Sequence, residues 1–114
     1  MTFEAQVAAM EAAREQLYTL ADAYPSLSVS LVAPALLLTR GLTATALAGP
    51  TKAGRQHLAR CARQVAEALA QYVNDTSIAN LANCDHALSC SHLSAIIRDL
   101  TAVAPLALVG SAEH

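Results

Sequence analysis

The chain has 114 residues, of which 54% are apolar and only 14% charged, with a formal net charge of −2. That length fits one domain with a moderate core, and the slightly acidic balance excludes an overall electrostatic footprint for DNA or RNA. A charged fraction well below the usual quarter or so implies much buried surface, either inside the domain or against a partner. Aromatics are few (one Phe, three Tyr, no Trp) and alanine, the best helix former, is abundant, so the expected class is all-α.

The first helix is expected to start at Thr2, whose hydroxyl can cap it, with Glu4 near the positive end of the dipole. Phe3, Val7, Met10, Leu17, Ala21 and Tyr24 follow 3–4 spacing. Arg14 interrupts the stripe and can lay its aliphatic stem along it. Pro25 disfavours helical geometry in the residue before it, so the helix should end near Tyr24.

Residues 23–51 hold a single charge, Arg40. Ser26-Leu27-Ser28-Val29-Ser30-Leu31 alternates with period two, a strand pattern. A lone strand lacks an edge to pair with, so the reading is an irregular lead-in and then a helix from about Leu31 to Ala48, with Pro34 near its first turn. Pro34 and Gly41 break the stretch too much for a membrane span. A helix apolar on nearly all sides is buried in its domain or in an oligomer interface.

Gly49-Pro50-Thr51 is a break, and Thr51 can cap a third helix running to about Val73. Leu58, Ala62, Val65, Leu69 and Val73 form its apolar stripe. Lys52, Arg55, Arg60 and Arg63 cluster on it, as a solvated face or as an anion-binding patch. Asn74-Asp75-Thr76-Ser77 reads as the next turn. A fourth helix is expected from about Ser77 to Ala104, carried by Ile78, Leu81, Leu88, Ile96, Leu100 and Val103. It weakens around Asp85–Ser91, where Asp, Asn and Ser lower helix propensity, and it stops at Pro105. Residues 1–110 then form an antiparallel four-helix bundle, with a broken second or fourth helix as a variant. Residues 111–114 form a frayed tail.

The chain's sharpest chemical signal is a repeated pattern. His57-Leu-Ala-Arg-Cys61 and His86-Ala-Leu-Ser-Cys90 are both His-x3-Cys, and helical residues four apart share a face. A hairpin turning near residue 75 would bring Cys61 level with Cys90, and His57 level with His92. His57, Cys61, Cys90 and either His86 or His92 would then be candidate ligands for one zinc or copper ion. The competing reading makes the cysteines small core hydrophobes and the histidines ordinary edge residues. Asp85, His92 and Asp99 recur every seven residues and suggest a polar seam, or an Asp–His pair for base chemistry.

The His57–Cys61 segment resembles the His-x3-Cys ligand pair of the copper-sensing, all-helical repressors of the CsoR type. The resemblance covers five residues. The upstream cysteine and basic DNA-binding surface that such repressors need are absent here. No nucleotide-binding, metalloprotease or nucleophile-elbow pattern occurs, and no catalytic residue is assigned.

Three cysteines form no disulfide framework and no secretory signal is readable, so a cytoplasmic protein is expected. The leading functional reading is a non-enzymatic interaction module. It would use the apolar segment 27–48 to form a homo-oligomer, most simply a homodimer, or to bind a partner protein, with no nucleic acid and no membrane. The alternative is the zinc or copper site, with no other cofactor.

Overall fold

Thr2 begins the first helix in extended geometry, and its hydroxyl accepts a hydrogen bond from the Ala5 amide at 3.1 Å. In the computed structural model, which describes residues 2–79 and 84–112 (side chains over 2–74 and 88–103), α1 spans Phe3–Ala23. It closes at Tyr24, whose amide bonds the Leu20 carbonyl at 2.9 Å. A short 3₁₀ turn, Pro25–Leu27, leads directly into α2, Ser28–Ala48.

The start of α2 corrects the sequence reading. The alternation over 26–31 yields neither a strand nor an irregular lead-in. Leu27 and Leu31 lie four apart, and both are buried on the inner side. Pro34 falls inside the helix rather than at its first turn. It withdraws an amide from the Ser30 carbonyl, and Ser30 is exposed, so water can serve that carbonyl. The helix therefore runs unbroken through Pro34 and Gly41, and by length and composition Pro25–Ala48 is apolar enough to cross a membrane. It ends at Gly49, whose φ of 71° closes the turn.

Thr51 caps α3, Lys52–Ala79, accepting from the Gly54 amide at 3.1 Å. The turn expected at residues 74–77 is helix instead. Asn, Asp, Thr and Ser each cost only a few tenths of a kcal/mol in a helix interior, too little to break a long helix. α4, Cys84–Ala112, is likewise continuous over 85–91 and passes through Pro105, where one bond to the Thr101 carbonyl is lost. The apolar side chains beyond Val103 and the tail at 113–114 lie outside the described residues.

The four helices form an antiparallel bundle. α1 packs on α2 and α4, and α3 packs on α2 and α4, so α1 and α3 sit on the diagonal. Met10, Leu17, Leu31, Leu38, Leu58, Leu69, Leu93, Ile96, Leu100 and Val103 are fully buried between them, each worth about 1.5–3 kcal/mol of transfer free energy. Ala35, Ala59 and Ala62 are also fully buried and let the backbones approach. Leu88, expected in the core, is exposed.

Candidate functional site

α2 buries Leu31, Ala35, Leu38 and Leu42, yet only 28% of its most apolar stretch is buried inside the bundle. The remainder is half-buried or exposed. Val29, Ala33, Leu36, Arg40, Thr43 and Leu47 are all exposed, and their spacing of 4, 3, 4, 3 and 4 places them along one straight seam of the helix. Val29 and Leu47 are each 86% exposed and Leu36 is 51% exposed, far more than scattered surface apolar residues require.

Of the threonines of α2, Thr43 lies on this surface, Thr39 is half-buried and Thr45 is buried in the bundle. Thr39, Thr43 and Thr45 donate their hydroxyls to the carbonyls of Ala35, Thr39 and Gly41, one turn back, at 3.1, 2.9 and 2.7 Å. Back-bonding of this kind satisfies the hydroxyl within its own helix.

On α1, Glu4, Glu11, Glu15 and Asp22 are all exposed and follow 7, 4, 7 spacing along one face, with Glu15 lining the cleft between α1 and α4. On the α3 side, Leu37, Arg40, Gly41, Ala44, His57, Arg60, Cys61 and Gln64 line a shallow groove of about 250 Å³. Arg40 and Arg60 stand over this groove, and its lining holds no acid. Among the described residues, the one ion pair is Arg14–Glu15 at 4.0 Å, so Glu11, Arg40 and Arg60 remain uncommitted.

The groove floor is Cys61. Its Sγ donates to the Leu37 carbonyl at 3.5 Å, so the thiol points to α2. Burial pushes its pKa from the ordinary 9.0 up to about 11, partly offset by the Gly41 backbone. His57 lies one turn earlier, exposed, on the same groove. The neighbouring arginines oppose a cation there.

The structure does not bring Cys61 and Cys90 together. α3 continues to Ala79 and α4 begins at Cys84, so the hairpin is centred several residues later than expected. Cys90 is then level with about Val73, roughly 18 Å along the axis from Cys61 at 1.5 Å per residue. The Tyr72 hydroxyl agrees with this placement: its pKa is raised by burial and, secondarily, by Cys90. His92 is exposed and lines a separate cleft between α1 and α4 with Glu15, Gln16 and Tyr24. Asp99 is exposed too, so His92 and Asp99 both lie on the outer surface of α4. The side chains of Asp85 and His86 lie outside the described residues. Among the described residues, no group of three or more His, Cys, Asp or Glu side chains gathers in a way that could hold a metal.

The sequence reading found the apolar segment but missed both stripes. The 4, 3, 4, 3, 4 spacing and the 7, 4, 7 acids were present as signals. They identify an outer face only once the inner one is known. Comparison with family models, curated proteins and solved structures yields no match.

Proposed function

We propose that this protein is a non-enzymatic helical-bundle interaction module that self-associates through the outer face of α2. The observation that carries the reading is the exposed seam Val29–Ala33–Leu36–Arg40–Thr43–Leu47. Large exposed apolar patches mark interaction sites. A straight heptad-spaced seam fits a second helix of the same kind, and closed two-fold dimers are the commonest oligomers. Two features support burial of the seam: the back-bonded hydroxyl of Thr43 and the scarcity of charge along α2.

Light scattering after size exclusion at tens of micromolar tests the proposal. The wild-type chain should run as a dimer. Leu36→Glu with Leu47→Glu should give a monomer with an unchanged helical circular-dichroism spectrum. A wild-type monomer, or partition of the wild type into phosphatidylcholine vesicles instead of dimers, sinks the reading.

A further inference from the structure

The groove between α2 and α3 has a chemistry of one kind. The two helices come closest where Cys61 packs on Gly41, and the Cys61 sulfur reaches the Leu37 carbonyl across the same gap. Arg40 and Arg60 are the residues just before Gly41 and Cys61. In an antiparallel pair that puts both on the same side of the contact, about 3 Å apart along the axis, and both line the groove. His57 lines it too, one turn before Cys61, and so does Gln64, one turn after Arg60. Gly41 and Ala44 bring little or no side chain, which leaves a dent of about 250 Å³ among the longer ones.

The charge in this dent is uncompensated. α2 carries no acid, and the first acid on α3 is Glu67, which lies outside the lining. The one ion pair among the described residues is Arg14–Glu15, so neither groove arginine is paired. Every polar side chain of the lining can donate: two guanidinium forks, the Gln64 amide and the His57 ring, which offers an N–H in either protonation state. A cleft lined by one sign of charge concentrates counter-ions. Arginine forks match the paired oxygens of a phosphate, a geometry that a spherical chloride ion lacks.

We infer that the α2–α3 groove is a binding site for one phosphate-type oxyanion, held between Arg40 and Arg60 with His57 and Gln64 as further donors. The site goes beyond the self-association proposed above and does not depend on it. It shares Arg40 with the seam, so a bound anion also neutralises the one charge that two meeting seams would bury.

Titration of inorganic phosphate into the protein in chloride buffer, at constant pH and ionic strength and followed by proton–nitrogen NMR, tests the site. The Nε–H signals of Arg40 and Arg60 and the backbone amide of His57 should shift together and saturate, with a dissociation constant of about 1 mM or tighter. Those of Arg55 and Arg98, which are exposed outside the groove, should stay in place. Arg40→Gln and Arg60→Gln should each weaken binding by about tenfold or more, and Arg55→Gln should leave it unchanged. All three positions are exposed, and circular dichroism checks that the variants fold. Shifts that grow without saturating, shifts shared by every arginine, or equal weakening by Arg55→Gln would overturn the inference and leave a solvated basic face. Vesicles separate the two sources of such a group. Retention on phosphatidylcholine vesicles containing phosphatidic acid, but not on phosphatidylcholine alone, and lost in Arg40→Gln, assigns the phosphate to a lipid headgroup. Saturable binding of the free ion without retention assigns it to a soluble phosphate. The titration reads monomer and dimer alike, so its failure leaves the α2 interface standing, and a wild type that never dimerises leaves the anion site standing.

Discussion

Gly41 is the notch into which Cys61 packs. A Cβ placed on Gly41 would lie 2.6 Å from the Cys61 Cβ and closer still to its sulfur, so α2 and α3 touch here at a distance that no side chain on Gly41 permits.

Gly41→Ala should therefore destabilise the bundle, although alanine improves helix propensity by about 1 kcal/mol. Overpacking of this kind costs about 1–3 kcal/mol, and α3 must shift. Cys61→Gly alone should also destabilise, through lost packing and helix propensity. The double variant moves the notch from one helix to the other and should recover much of the loss. Urea denaturation of the four proteins gives the coupling. Additivity within about 0.5 kcal/mol would show that the two positions do not meet.

The Cys61 thiol should be the slow one. Burial holds its pKa near 11 rather than 9.0, and the thiolate is the nucleophile. Iodoacetamide at pH 8 should modify half-buried Cys90 well before Cys61, and denaturant should abolish the difference. Mass spectrometry of the peptides reads both.

Titration of the same thiol should weaken the fold at alkaline pH. The folded chain holds the proton more tightly than the unfolded chain, which ionises near 9.0. The associated stabilisation is complete below pH 9 and lost as the pH rises through 11, with an upper bound of about 2–3 kcal/mol. Cys61→Ala should flatten the decline between pH 9 and 11 relative to wild type. Parallel stability profiles for the two proteins would contradict the assignment.

The corner between α2 and α3 should tolerate little change. Gly49 holds a φ of 71°, and a Cβ on Gly54 would run into the Gly49 carbonyl. Gly49→Ala should cost about 1–3 kcal/mol. Thr51→Ala, which removes the cap on the Gly54 amide, should cost about 1 kcal/mol, and Thr51→Ser much less. Thermal melts of the three variants check this ordering.

Much of the bundle was legible in the chain because its strongest signals are local. Thr2 and Thr51 are caps where caps were expected, and Pro25 and Gly49 end helices where Pro and Gly should. The error lay where signals were weak. Residues 74–77 look like a turn by propensity, but the propensities are small and α3 continues through them. That single shift moved the Cys61–Cys90 register by many residues, because every level on α4 is counted from the hairpin. The α2 seam was legible as apolar composition but not as a face. A helix greasy all round gives no hint of which side its neighbours will take until Leu31, Leu38 and Leu42 are seen to be inside.

The hydroxyl proton of Thr43 is already engaged by its own helix. A molecule laid along the seam thus meets no hydroxyl asking for company there, and Arg40 is the one charge it must answer. A short synthetic rod with a plain leucine ridge and one well-placed carboxylate would suffice as a competitor, with no need to mimic the rest of the bundle.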